Sequence, residues 1–323
     1  MPVCLLTVVR RLSLAHGTPP RLSKSQNDVP PPTLEYICGS ARSNDDQLQQ
    51  RDSAAIFIAL VGLTNVLDQH LQFIYQVDRD RTSPANLELE LNTWVESLSG
   101  SVRLIILRGS YLDIPGAPNL RFSYLTARLL LQRIQLEADK QEFGPENRRV
   151  LNGYLQARRT AEDILLMTQE FQPRHLGDYW LSPHAFSYFS TVTFLLRCAL
   201  EMEHSPTDLV QSASFRIAHD LVNTLRKHQE EHSWNIGDLC LAQYSELVDK
   251  IFAGVSHEPQ GPAAGVSNGN NNSNTGGDSD NSGHGIAAGF GFDVNDMMVL
   301  PDASIIDQFF PSLWDPLQMQ NTW

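Results

Sequence analysis

The stretch that most constrains the fold is residues 181–204, because apolar side chains occur on nearly every face of the helix that it would form. Pro183 suits the first turn of that helix, where the missing N–H of proline costs no hydrogen bond. A helix that is apolar all round is usually buried all round. Arg197 and Glu201 lie within its roughly 20 residues, which favours a buried helix over a membrane span. We therefore predict that 181–204 is the central helix of an all-α bundle.

The other segments of the first 253 residues carry apolar residues at i, i+3 and i+4, the spacing of amphipathic helices. This spacing predicts helices over 51–77, 85–98, 119–140, 146–170, 207–230 and 237–252. Asp52 or Ser53 is expected to cap the first helix, and Gly254 to end the last. The apolar run at 102–107 predicts a loop or a short helix, since no strand partner is evident.

Composition divides the chain into four parts. Residues 1–50 form a partial helix and a Pro-rich loop, and 51–253 a helical domain. Residues 254–289 are rich in Gly, Asn and Ser and contain too little apolar surface to offset the entropy of ordering, which predicts a disordered linker. Residues 290–323 form an acidic-aromatic tail.

The acidic-aromatic tail has the composition of an activation segment. Residues 254–323 hold eight acidic residues and no lysine or arginine, and in the tail these acids alternate with aromatic and aliphatic side chains. Repulsion between the carboxylates should keep the apolar groups available to the transcription machinery or a coactivator. Alternatives are a terminal helix docked on the bundle and a tail with no partner. The partner-binding residues that we predict are Phe309, Phe310, Leu313 and Trp314 as anchors, with Asp307 and Asp315 steering and solubilising them.

Charge and cysteine content exclude two classes of site. The net charge is −13, and the first 253 residues have no basic excess either, so this chain by itself is a poor nucleic-acid binder. The four cysteines are widely spaced and form no CxxC pair, which excludes a zinc finger or zinc cluster within the chain. Cys198 lies in the most apolar helix, where a buried thiol is expected.

One five-residue segment matches a metalloenzyme motif, HxxEH, at 228–232. On a helix it would place His228 and His232 one turn apart for zinc, with Glu231 beside them as a general base. A third ligand would still be needed, and the adjacent Arg226 and Lys227 favour a solvated face. These three residues are weak metal candidates and make a helical metalloenzyme an alternative. No other catalytic or cofactor motif is present, so we expect no enzyme activity and no cofactor.

Two polar groups have less specific interpretations. His175 and Asp178, in the loop before the 181–204 stretch, are expected to cap that loop, with a ligand pocket as the alternative. The pairs Arg148-Arg149 and Arg158-Arg159 repeat at ten residues on one predicted helix. Ordinary surface ion pairs are expected there, because Glu146, Glu162 and Asp163 are nearby.

Several segments resemble the regulatory region of the fungal zinc-cluster transcription factors. They are Arg11 to Leu22 (RLSLAHGTPPRL) with Asp28-Val29-Pro30, then Asn119 to Leu125 (NLRFSYL), and Thr193 to Glu201 (TFLLRCALE). His16 and Thr18 depart from the commoner residues of the first motif. The similarity spans roughly residues 8–252.

This resemblance implies an all-helical regulatory domain in a nuclear transcriptional regulator, often dimeric and sometimes responsive to a small-molecule effector. Such proteins normally begin with a six-cysteine cluster that binds two zinc ions and contacts DNA. This sequence lacks that cluster, so we expect a fragment or a form without it, which would reach DNA only through a segment not present here. The resemblance supplies no metal-binding or DNA-binding residue.

The first 27 residues contain Arg10, Arg11, Arg21 and Lys24 and no acid, which makes a mitochondrial presequence the alternative to a nuclear location. No membrane association is expected. A non-catalytic helical scaffold is the remaining alternative function.

Overall fold

A computed structural model describes residues 30–39, 44–75, 83–176, 180–202 and 206–256. The partial helix expected before residue 15, most of the Gly/Asn/Ser linker and the whole acidic-aromatic tail lie outside them. The described residues form helices that we number in chain order: α1 (Leu34–Cys38), α2 (Asn44–Tyr75), α3 (Pro84–Ser97), α4 (Gly100–Arg108), α5 (Ala117–Phe143), α6 (Arg148–Gln169), α7 (Pro173–Leu176), α8 (His184–Met202), α9 (Pro206–Gln211), α10 (Ala213–His232) and α11 (Asp238–Ser256).

The predicted all-α class is confirmed, because the described residues contain no strand. Helix α3 begins where its sequence signals it: the Ser83 side chain accepts a hydrogen bond from the Asn86 N–H, and Pro84 occupies the first turn. The apolar run at 102–107 lies in the short helix α4. Gly109 ends that helix with φ of 70°, a left-handed conformation that glycine adopts without strain.

Helix α2 is longer than its apolar stripe predicts. It begins at Asn44, so the prediction of Asp52 or Ser53 as its N-cap is wrong. The polar residues before that point contain no glycine or proline, and several are good helix formers, so nothing in the chain stops the helix at the edge of the core.

The predicted helix over 207–230 is two helices, α9 and α10, separated at Ser212. Ser212 has an extended backbone, and its hydroxyl oxygen accepts a hydrogen bond from the Phe215 N–H at 3.1 Å. A serine in this position starts a new helix because its side chain satisfies a backbone donor that has no partner within the helix. Helix α11 runs to Ser256, past the predicted stop at Gly254.

Helix α5 is the central helix of the bundle, so the prediction that residues 181–204 form the central helix is wrong. Helix α5 packs against α2, α3, α4, α6 and α8, whereas the main contacts of α8 are with α5, α6, α10 and α11. The sequence does not indicate that α5 is the central helix, because buried polar residues interrupt its apolar pattern. The Asn119 side-chain oxygen accepts a hydrogen bond from the Leu181 N–H at 3.0 Å, and the Ser123 hydroxyl donates to the Asn119 carbonyl at 2.5 Å.

Helix α8 is nevertheless buried as its composition predicts. Tyr188, Val192 and Leu195 have no exposed surface, and the Phe122 ring of α5 lies 4.7 Å from the Tyr188 ring. Cys198 is also buried, and burial raises the pKa of its thiol. The expectation of a buried thiol at this position is confirmed.

By length and composition, one helical segment among the described residues could cross a membrane. It is Leu48–Tyr75 in α2, with a mean hydropathy of 1.4 over its most apolar window. Two-thirds of that window is buried inside the bundle, as is ordinary for the core helix of a folded domain.

Candidate functional site

The HxxEH segment lies at the C-terminal end of α10, where its two imidazoles have different surroundings. His228 is buried, and its Nε2 donates a hydrogen bond to the Thr168 carbonyl oxygen of α6 at 2.7 Å. His232 is half-buried, and Glu231 is exposed, 3.9 Å from the Lys227 ammonium. Nε2 of His228 is therefore used in a contact between helices, and Nδ1, which is buried and has no hydrogen-bond partner among the described residues, is the nitrogen that keeps a free lone pair.

Both imidazoles pack on the same indole. The ring centroid of Trp234 lies 4.9 Å from that of His228 and 4.6 Å from that of His232. Within the described residues, no group of three or more His, Cys, Asp or Glu side chains is placed to hold a metal ion. Burial lowers the pKa of His228, which keeps this imidazole neutral near pH 7. The segment has the features of a packed helix end.

His175 has the capping role that its loop position predicts. Its Nδ1 accepts a hydrogen bond from the Gln172 N–H at 3.3 Å, and its Nε2 lies 3.2 Å from the Asp113 carboxylate. Arg174 contacts the same carboxylate at 2.9 Å. The side chains tie the α7 turn to the segment before α5. Asp178 lies outside the described residues.

A cleft of about 290 Å³ lies between α6, the C-terminal end of α8 and the start of α10. Its walls are mostly apolar, and two of the side chains are unusually exposed for their type: Leu155 at 52% and Met202 at 46%. The apolar lining residues are Leu151, Leu155, Cys198, Ala199, Met202 and Ala213, and the polar ones are Tyr154, Arg158, Ser212 and Ser214.

Arg158 is the positive charge of the cleft. Among the described residues it forms no ion pair, so the expected surface pairs with Glu162 and Asp163 are absent. It is half-buried beside the leucine side chains of α6. The Ser214 side chain, also at the cleft, is 8% exposed. The cleft therefore offers an apolar surface next to a guanidinium group that is available to an anion.

A polar cluster adjoins the cleft, and in it the Glu201 carboxylate forms a hydrogen bond with Tyr154 and an ion pair with Lys140. The Tyr154 hydroxyl donates to the Glu201 carboxylate, and the Lys140 ammonium lies 2.9 Å from the same oxygen. Burial by itself would raise the pKa of Glu201, but the Tyr154 hydroxyl and the Lys140 charge outweigh it and lower the pKa. Burial and the hydrogen bond to Glu201 both raise the pKa of Tyr154. The carboxylate thus stays ionised, and its charge is met by Lys140.

Sequence reasoning missed the cleft, although α6 carried a signal. Leu151, Leu155 and Arg158 share one face at i, i+4 and i+7, and that face lies outside the stripe of core residues. Exposed leucines on an amphipathic helix indicate a contact surface. The predicted anchors Phe309, Phe310, Leu313 and Trp314, with Asp307 and Asp315, lie outside the described residues. Comparison of the chain with protein families, with curated proteins and with solved structures found no match.

Proposed function

We propose that this chain is a transcriptional regulator, in which the helical domain carries an acidic activation tail. The observation that carries the proposal is the composition of residues 290–323. Aromatic and aliphatic side chains alternate there with carboxylates, and neither lysine nor arginine is present. Segments of this kind remain soluble through their charge and bind partners through their rings, which enter apolar grooves.

In this proposal, two kinds of residue in the tail have separate tasks. Phe309, Phe310, Leu313 and Trp314 are the anchors, because a few large buried side chains carry most of the binding energy of an interface. Asp307 and Asp315 raise the rate of encounter with a basic partner surface and keep the tail in solution. The partner is the transcription machinery or a coactivator, and DNA is reached through a different segment.

The proposal is tested by fusing residues 286–323 to a heterologous DNA-binding domain and measuring a reporter gene. We expect a strong signal from the intact tail. The triple variant Phe309→Ala, Phe310→Ala, Trp314→Ala should abolish it. A matched control, Phe290→Ala with Phe292→Ala, removes rings from the start of the same tail and should leave most of the signal. No reporter signal from the intact fusion contradicts the proposal.

A second measurement concerns the location of the full chain. A fluorescently tagged chain is expected to accumulate in the nucleus. Accumulation in mitochondria, with loss of the basic residues before Asp28, would favour the presequence alternative.

A further inference from the structure

The cleft between α6, α8 and α10 combines apolar walls with one available positive charge. Leu155 of α6 and Met202 of α8 both line it and are about half exposed, and Arg158 of α6 lines it too. Exposed leucine and methionine side chains that line one cleft form a surface suited to aromatic rings. The cleft therefore matches a segment in which rings and carboxylates are neighbours.

Charge complementarity favours the chain's own acidic-aromatic tail as the segment that occupies the cleft. Residues 254–323 carry eight acidic side chains and no lysine or arginine, so the carboxylates there are attracted to Arg158. The Glu201 carboxylate, which is hydrogen-bonded to Tyr154 of the cleft lining, is also held by Lys140 and leaves Arg158 unneutralised. An acidic segment that places a ring in the cleft would gain both an apolar contact and a charge pair at its edge.

The tail leaves the helical domain close to this cleft. Helix α11 runs antiparallel to α10: Asp249 contacts Arg226 at 2.8 Å, and the Phe252 ring stacks on the His219 ring at 4.6 Å. Continuing in that direction, the end of α11 at Ser256 comes towards the start of α10, which forms one wall of the cleft.

The chain between Ser256 and Phe309 is long enough to return to the cleft. A Gly-rich, Ser-rich coil of about 50 residues has a root-mean-square length of about 40 Å. A tether of this kind gives the attached segment an effective concentration approaching the millimolar range. Even a weak intrinsic affinity would therefore keep the tail docked for much of the time.

We propose that residues 302–317 of the tail bind in the cleft of their own chain, with the anchors against Leu155 and Met202 and the acids beside Arg158. The volume favours side chains over an organic ligand, since about 290 Å³ lies just below the ~300–1,000 Å³ of sites that enclose a drug-sized molecule. If the tail recruits a coactivator, as proposed above, docking hides the anchors and represses recruitment. This second step rests on the proposed function, whereas the docking itself does not.

Docking is tested in the full chain by placing a benzophenone amino acid at position 310 and identifying its photo-crosslinks by mass spectrometry. We expect crosslinks to residues around Leu155 and Met202, in a product with the mass of one chain. Leu155→Glu and Arg158→Glu should each lower the crosslink yield about tenfold. Leu166→Glu is the matched control, because Leu166 is 50% exposed on the same helix but lies outside the cleft.

The tail variant Asp307→Asn with Asp315→Asn should also reduce the yield several-fold, and it leaves every side chain of the described helices unchanged. Urea unfolding of the Leu155→Glu, Arg158→Glu and Leu166→Glu variants checks that the helical domain is still folded. Crosslinks to a different surface of the domain would overturn the proposal, as would crosslinks formed only between two chains. A crosslink yield that does not change in Leu155→Glu would also overturn it.

The reporter assay separates this proposal from the proposed function. In a fusion of the full chain, Leu155→Glu should raise the reporter signal several-fold, and Leu166→Glu should not. If the tail by itself is inactive but the crosslink forms, the activation proposal fails and docking stands. If the tail is active and no crosslink forms, docking fails and the activation proposal stands.

Discussion

The Nε2 atom of His228 lies 2.7 Å from the backbone carbonyl oxygen of Thr168, and this hydrogen bond joins α10 to α6. A carbonyl oxygen can only accept, so Nε2 carries the proton. The Thr168 hydroxyl in turn donates to the Ile164 carbonyl and lies 3.3 Å from the Tyr188 hydroxyl. His228 is thus part of the buried contact between α6, α8 and α10.

Replacing His228 with alanine is expected to lower the free energy of unfolding by about 2–4 kcal/mol, from the cavity and the lost hydrogen bond together. The measurement is urea denaturation followed by circular dichroism. Glu230→Ala, an exposed change on the same helix, should stay within about 0.5 kcal/mol of the wild type. Equal effects of the two substitutions would contradict the structural role of His228.

The surroundings of His228 and His232 predict the metal content of the chain. Because the described residues place no third His, Cys, Asp or Glu ligand beside them, and His232 packs on Trp234, we expect purified full-length protein to contain no stoichiometric zinc. Elemental analysis after dialysis against a zinc buffer measures this directly. One zinc per chain, lost on His232→Ala, would restore the metalloenzyme alternative with His228, Glu231 and His232 as its centre.

Stability is expected to fall as the pH is lowered from 6.5 to 4. Burial lowers the pKa of His70 to about 4 from its ordinary value of 6.5, so the unfolded chain binds a proton more readily than the folded one. The stability contributed by the neutral imidazole is complete above pH 6.5 and is lost towards pH 4. The loss from this group is on the order of 3 kcal/mol. Burial also lowers the pKa of His228, so this group contributes a loss of stability in the same direction.

Urea unfolding at several pH values tests this prediction, with His70→Leu as the comparison. The variant should lose less stability than the wild type over the same pH range, because it has no imidazole to protonate. Parallel curves for the two proteins would show that His70 is not responsible. Carboxylates titrate in both proteins and cancel in the difference.

Gly62 brings α2 close to Trp94 of α3, and a larger residue there should destabilise the bundle. A Cβ atom at position 62 would lie 2.8 Å from the Trp94 Nε1 atom, so the indole must move. Alanine is normally the better residue within a helix by about 1 kcal/mol, but overpacking costs about 1–3 kcal/mol. We therefore expect Gly62→Ala to lower the free energy of unfolding by about 1 kcal/mol.

Thermal and urea unfolding measure this effect. The control is Gly100→Ala at the start of α4, where a Cβ atom would meet nothing within 4 Å and no loss is expected. A Gly62→Ala variant more stable than the wild type would mean that the Trp94 indole moves aside with little loss of stability.

Local patterns determined the helical class and most of the helices. The apolar stripes of α3 and α6 and the all-round apolar surface of α8 each give a signal that needs only helical periodicity and the burial of apolar groups. The exceptions are at helix ends. The start of α2 at Asn44 depends on polar residues that do not stop a helix, and the division at Ser212 depends on a side chain that accepts from a backbone N–H; periodicity reports neither.

The arrangement of the helices was decided only by the tertiary structure. Helix α5 holds the bundle together although Asn119 and Ser123 interrupt its apolar pattern, because hydrogen bonds inside the core offset their burial. The HxxEH spacing is present along α10, yet the packing places Thr168, 60 residues away, against His228 and brings no third metal ligand to the pair among the described residues. Leu155, Arg158 and Met202 meet in one cleft for the same reason: contacts between distant segments depend on how whole helices pack, and local sequence does not encode that choice.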